Sequence, residues 1–261
     1  MMYEDLYAPL PDRQAYLARI GYKKQTVCNT DDLDTLVFSH LCAVPFENLD
    51  VLGSDREPSI LTHALFDKIV SRRRGGYCYE LNTLFSKLLQ ELGLDVYVTM
   101  ARICWNKPEK SPYSHMAVVT CLEGKRWLCD VGYGGPAPRG ILCLDTQERQ
   151  QVRGADFRVF QDENRVEIRR FEGASELPMM EFLLQRVDLV DFIPLNFHTA
   201  LRPDSVFRQQ PMVSIHTPEG IKTFDGSTFR EKSGAETVRE RFVPSTEAAG
   251  AILSEEFGIL L

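Results

Sequence analysis

Cys78 lies in the run RGGYCYELN (residues 74–82), between two tyrosines, with an arginine and two glycines before it and a glutamate and an asparagine after it. Three kinds of chemistry suit a cysteine: structural burial, metal binding and nucleophilic attack. Zinc sites pair a cysteine with a second cysteine or a histidine a few positions away. Cys78 has neither within four residues, so no metal site is expected around it. Burial is the commonest fate of a free cysteine, but flexible glycines and flanking charges are unusual in a core segment. From these nine residues alone, buried cysteine and nucleophile stand level.

A nucleophilic cysteine needs a base to take its proton, and the base needs an acid to orient it. Among five histidines, His40 and His63 fall in helical text, His198 at a helix–loop junction and His216 before a turn. His115 opens the strand-like HMAVV after a proline-containing turn, which sets its ring at a sheet rim. Asp130 follows fifteen residues later, closing the strand-like RWLCD and opening DVGYGG. Adjacent antiparallel strands can hold such a pair side by side, with one imidazole nitrogen on the carboxylate and the other facing a thiol. An aspartate before glycine is also an ordinary turn initiator. The order Cys, His, Asp is what gives the weak pieces their weight. The glycines of DVGYGG could cradle a phosphate through backbone amides, but the lysine and serine of a P-loop are missing.

These residues need elements to hold them. Residues 3 to about 95 carry helical spacing in DRQAYLARIGY, LDTLVFSHLCAVPF and LNTLFSKLLQELGL, the last stopping at Gly93. Cys78 is then at a helix N-terminus, where free amides and the macrodipole favour negative charge. Short β-rich runs follow from 95 to 172, separated by NKPEKSP, LEGK and DEN. MMEFLLQRVDLVDFIPLNFHTAL reads as helix broken at Pro194. PMVSIHTPEGIKTFDG reads as a hairpin turning at Thr217–Gly220, and AAGAILSEEFGIL as a closing helix.

A net charge of −7 argues against a sequence-independent nucleic-acid binder. Arg72, Arg73 and Arg74 form the one basic cluster, a solvated face from which Arg74 is the residue placed to turn inward. No run approaches a membrane span and no export signal is seen at the N-terminus. Seven cysteines then fit a reducing, cytoplasmic setting.

RGGYCYELN resembles the nucleophile segment of the arylamine N-acetyltransferases. VPFENLD (44–50), YLARIGY (16–22), DVGYGG and LRPDSVFRQQPMVSIHTPEG are similar to further segments of that family, in the family's order. The length is similar to that of the shorter bacterial members, without the extra interdomain loop of vertebrate ones, which implies a more open acyl-donor cleft. The resemblance implies an α+β fold of three domains: a helical bundle with the nucleophile (1–93), an antiparallel β-barrel with His and Asp (94–190), and an interdomain helix with an α/β lid (191–261). Cys, His and Asp then meet in a papain-like arrangement.

Carried over residue by residue, Cys78 is the acyl-accepting nucleophile, His115 its base and Asp130 the orienting carboxylate. Arg19, Glu47 and Arg74 match a buried charged network under the cysteine loop, with Glu80 nearby and Arg74 with Glu80 anchoring the loop. Gly75 and Gly76 let the chain turn and approach a substrate. The implied activity is ping-pong transfer of acetyl from acetyl-CoA, a co-substrate rather than a bound cofactor, to small aromatic amines, hydrazines or N-hydroxyarylamines. Phe46, Tyr77, Ile103 and Tyr133 are the expected acceptor walls. Tyr133 stands where phenylalanine is frequent in the family. Gly132, Gly134, Gly135 and Ser205 are the expected CoA contacts, and backbone amides at Cys78 the oxyanion donors. The alternative is an amide synthase of polyketide assembly, with a wider cleft for a long acyl chain. No nucleic-acid or membrane partner is expected, and a homodimer is left open.

Overall fold

The computed structural model describes residues 3–234 and 236–260. Helices α1 (Arg13–Arg19), α2 (Thr30–Ala43), α3 (Thr62–Phe66) and α4 (Cys78–Glu91) fill the first third of the chain, with a two-residue strand β1 (Phe46–Glu47) between α2 and α3. Leu81, Leu84, Phe85, Leu88 and Leu89 recur along α4 at helical spacing and are all buried. Nearly every residue from Cys78 to Leu89 is buried, so α4 is a central helix. It packs against both the other helices and the sheet that follows. Gly93, with φ +85°, ends the run.

Strands β2 (Asp95–Ile103), β3 (His115–Leu122), β4 (Lys125–Leu128), β5 (Leu142–Cys143), β6 (Gln150–Val152), β7 (Ala155–Asp162), β8 (Arg165–Glu172) and β9 (Ser175–Leu183) form one antiparallel sheet in the order β5-β4-β3-β2-β9-β8-β7-β6. The sheet nearly closes on itself. At its edges the Gln150 side chain takes the N–H of Cys143 at 2.9 Å and donates to its carbonyl at 2.8 Å, so β5 and β6 share a side-chain bridge where a ladder would run. Strand alternation divides β3 between two cores: Met116 and Val118 join the helical core, Ala117 and Val119 the barrel interior.

Helix α5 (Phe192–Leu201) leads to a third unit: β10 (Val213–His216), β11 (Gly220–Phe224), β12 (Thr228–Ser233), β13 (Glu236–Phe242) and α6 (Thr246–Phe257), with its own small core. The Thr217–Gly220 hairpin forms as expected. Two expectations are corrected. Met179–Leu183 belong to β9 and not to a helix. Met179, Met180 and Phe182 are fully buried, and a continuous apolar run reads alike in a buried strand and a buried helix. Pro194 falls in the first turn of α5, where a missing N–H costs nothing, and so does not break it.

The helical reading of residues 3 to 95 also passes over β1. Phe46–Glu47 pairs antiparallel with β10 of the third unit and bridges Gly76 in parallel. Here the glycines of RGGYCYELN allow close packing, Gly75 on backbone and Gly76 on the Glu80 side chain. A Cβ on Gly75 would lie 2.0 Å from the Pro45 carbonyl oxygen, and one on Gly76 would lie 2.8 Å from Glu80 Cβ. Gly75→Ala is therefore expected to lower stability by about 1–3 kcal/mol or more. Gly250→Ala in α6, where a Cβ meets nothing within 4 Å, should be neutral or stabilising by about 0.5–1 kcal/mol. Urea denaturation of the two variants checks the contrast.

Candidate active site

Cys78 is the first residue of α4, and the helix start is fixed by Glu80, whose carboxylate accepts the Tyr77 N–H at 3.1 Å. The positive end of the helix thus faces the sulfur. His115 is the first residue of β3, and Asp130 follows β4 by two residues, so the antiparallel pairing of β3 with β4 brings the two side chains together. His115 Nε2 lies 2.5 Å from Asp130 Oδ2. The Cys78 thiol also acts to raise the pKa of His115, and with Nε2 on the carboxylate Nδ1 is the ring nitrogen left for it. The three residues are 3 to 4% exposed, so their charges act in a medium of low polarity.

The other oxygen of Asp130 is held by Asn82, which sits four residues after Cys78 on the same face of α4. Asn82 Nδ2 donates to Asp130 Oδ1 at 2.8 Å and to the Met116 carbonyl at 2.6 Å, while its Oδ1 accepts the Val131 N–H at 3.0 Å. Gly132 N–H adds a fourth link, to Asp130 Oδ1 at 2.9 Å. One helix thus carries both the sulfur and the clamp on the loop that holds the carboxylate. Burial opposes charge on His115, but the charge and hydrogen bond of Asp130, joined by those of Cys78, outweigh it and raise its pKa to about 10.

Below the helix start lies a set of charges, buried except for the more exposed Asp50. Arg74 binds Glu47 and Asp50, each at 2.8 Å, and Lys68 binds Asp50 at 2.8 Å and Glu80 at 2.7 Å. Burial works against the Lys68 ammonium, yet Glu80, Glu47 and Asp50 together push its pKa up. Arg74 and Glu80 hold the segment through different partners, with Lys68 the cation on Glu80. Arg19 enters by backbone rather than by charge pairing, donating to the carbonyls of Ala43 (2.6 Å), Ile69 (3.1 Å) and Arg73 (3.2 Å). Arg72 and Arg73 stay exposed, while Arg74 turns inward.

The residues expected around a substrate are spread unevenly. Tyr133 meets the His115 ring edge-on at 5.8 Å between centroids, and its buried hydroxyl has no hydrogen-bond partner among the described residues. Ile103 packs partly buried on the same barrel cluster. Phe46 lies under the DVGYGG loop: a Cβ on Gly134 would sit 2.6 Å from its ring, and Gly134 has φ +70°. Tyr77 has no exposed surface. Its hydroxyl bonds Asn196 of α5 and its ring packs edge-on against Tyr79 and Phe207, which makes it a strut between α4 and α5. Gly132 packs on the Cα of Cys78, where a Cβ would lie 2.7 Å away, and Gly135 packs on the Tyr133 ring. Ser205 stands apart from these glycines, its hydroxyl on the Thr199 carbonyl at 2.6 Å and on the Phe207 N–H at 3.3 Å.

A family model described as N-acetyltransferase matches residues 29–261. The arylamine N-acetyltransferase of Escherichia coli is 31% identical over 246 residues, 94% of this chain and 87% of that protein. A solved arylamine N-acetyltransferase from Salmonella typhimurium superposes with a TM-score of 0.91 at 30% identity, covering 97% of this chain and 92% of that one. The chain belongs to the arylamine N-acetyltransferase family. A Mycobacterium marinum arylamine N-acetyltransferase solved in complex with CoA also matches, with a TM-score of 0.86 at 29% identity over 95% of this chain and 93% of its own.

This arylamine N-acetyltransferase family member is an acyltransferase, and its remaining cysteines are of a different kind. Burial pushes the thiols of Cys42, Cys104 and Cys129 up in pKa. Sequence reasoning missed Asn82, Lys68 and Asp50. Asn82 carried a readable signal, its spacing of one helical turn from Cys78, and Asp50 closes the quoted VPFENLD. Lys68 had none, since only the folded chain brings it under Glu80. None of the described helices is long and apolar enough to cross a membrane.

His115 has a testable consequence. Its folded pKa lies above the unfolded value of 6.5, so its contribution to stability is complete below about pH 6.5 and is lost as pH rises through about 10. Denaturant titrations from pH 6 to pH 10 should show this loss in the native protein. The slope should be largely absent in Asp130→Asn, and parallel curves for the two proteins would contradict the assignment.

Proposed function

We propose that Cys78 carries an acetyl group from acetyl-CoA to an arylamine, an arylhydrazine or an N-hydroxyarylamine. The observation that supports this most strongly is the buried line Cys78–His115–Asp130 at the start of α4. His115 holds the thiol proton in the resting protein, where its raised pKa favours the imidazolium, and the thiolate attacks the thioester carbonyl. The C–S bond to CoA breaks, CoA leaves as its thiol with the proton returned by His115, and acetyl-Cys78 remains. The amine then attacks the same carbonyl, its proton passes to His115, and the Cys78 sulfur departs. Two half-reactions through one covalent intermediate give ping-pong kinetics.

Asp130 holds the ring of His115 in the tautomer and orientation that both half-reactions need. The amide groups at the N-terminus of α4, including that of Cys78, are the proposed donors to the tetrahedral oxyanion. Tyr133, Ile103 and Phe46 are the proposed walls for a flat aromatic acceptor. Gly132, Gly134 and Gly135 are the proposed backbone contacts of CoA, with Ser205 at its outer end. Support for CoA comes from the match to a relative solved with CoA bound, and support for N-hydroxyarylamines from a Salmonella typhimurium relative named as an N-hydroxyarylamine O-acetyltransferase as well. A free thiol nucleophile suits the reducing cytoplasm, where we place the reaction.

Mixing the reduced, folded protein with stoichiometric acetyl-CoA and no amine should add one acetyl mass, located on Cys78. Aniline or a hydrazine should remove it, and Cys78→Ser should never acquire it. Absence of the adduct on folded, reduced protein would sink the proposal.

A further inference from the structure

On the far half of α4, away from Cys78, the structure holds a lysine without a counter-ion. Lys87 follows Cys78 by nine residues, about 13 Å along the helix, and is 7% exposed. Among the described residues it has no hydrogen bond or ion pair, and its ammonium lies 5.9 Å from the centroid of the Tyr7 ring. Lys87 lines a cavity of about 460 Å³ together with Tyr7, Tyr97, Val96, Val98 and Leu189. Neither Cys78, His115 nor Asp130 lines it.

We propose that this cavity binds a small organic monoanion, a carboxylate on an aromatic or branched apolar body, with Lys87 as its counter-ion. An ammonium on a largely buried side chain gains from an opposite charge, and among the described residues no carboxylate pairs with that of Lys87. Burial accordingly pulls the Lys87 pKa down, with only the charge of Asp5 acting to restore it. The walls set the body of the ligand: two tyrosine rings and branched aliphatic side chains, in a volume suited to a small molecule. The other charges set its valence. Arg186 also lines the cavity, but its guanidinium already donates to both oxygens of Asp95, at 2.7 and 2.9 Å. Asp188, another lining residue, accepts the Tyr7 hydroxyl at 2.8 Å at the rim. One free cation beside one carboxylate favours a monoanion over a phosphate dianion. The occupant would also join elements the chain brings together only here, since Val187, in the strap between β9 and α5, donates to the Val98 carbonyl at 3.0 Å.

The test uses the full chain, with 3-phenylpropionate as probe and 3-phenylpropanamide as its neutral counterpart. Lysines are acylated with an N-hydroxysuccinimide acetate reagent and read by peptide mass spectrometry, with exposed Lys107 as internal reference. The carboxylate should slow labelling of Lys87 by about tenfold at about ten times its Kd, leave Lys107 unchanged, and do so equally in Cys78→Ser. The amide should give no protection. Calorimetry should show at least about tenfold weaker binding of the carboxylate to Lys87→Met. Lys87 labelling unaffected by the carboxylate, or protection by the amide to the same extent, would overturn the proposal without any variant. Unchanged affinity in Lys87→Met would overturn it independently. The Cys78 reaction is tested by a different readout, so either proposal can fail alone.

Discussion

The site depends on one amide side chain spanning two units of the fold. Asn82 bonds a carbonyl of β3, an N–H of the loop after β4 and the carboxylate of Asp130, and it does so from the helix whose first residue is Cys78. Sulfur and carboxylate are thereby referenced to the same rigid element. His115, fixed by the start of β3, needs only to fall between them. A buried amide that satisfies three partners is costly to disturb, because each partner left unpaired keeps its full desolvation penalty.

The charges beneath the helix serve the same constraint from the other side. Glu80 fixes where α4 begins by taking the Tyr77 N–H, and Lys68 keeps that carboxylate compensated. Arg74 and Glu47 then tie the glycine turn to β1, which itself pairs with the third unit. Gly75 and Gly76 permit the approach because any side chain there would meet backbone or the Glu80 stem. Interactions that fix the position of one sulfur are therefore distributed over all three units, and the loop from Asp130 to Gly135 touches α4, β1 and, through Ser214 on the Gly134 carbonyl at 3.2 Å, β10.

What could be read from the residues was whatever local spacing encodes. Helical period before Gly93, alternation after it, and the placement of His115 and Asp130 at strand ends follow from side chains near each other in sequence. The residues that escaped depend on distant pairing. Strand β1 is only two residues long and exists because β10 lies beside it. Met179–Leu183 carry no clean alternation because the β8–β9 register shifts between Ile168 and Arg169, which leaves Met179 without a β8 partner and in the barrel core beside Met180. Lys68 meets Glu80 only once a short π-helical turn at Asp67–Ser71 brings it to α4, and nothing in its local spacing marks it. The Tyr77 hydroxyl bonds Asn196, more than a hundred residues away, a pairing that no local spacing encodes.

The most direct measurement of the account is the second-order rate of Cys78 alkylation by iodoacetamide in Asn82→Ala, compared with the native protein near pH 7. If Asn82 sets the relation between sulfur, ring and carboxylate, the rate falls by at least about tenfold, equivalent to about 1.4 kcal/mol, while circular dichroism shows the fold retained. An unchanged rate in a folded Asn82→Ala protein would contradict the central claim.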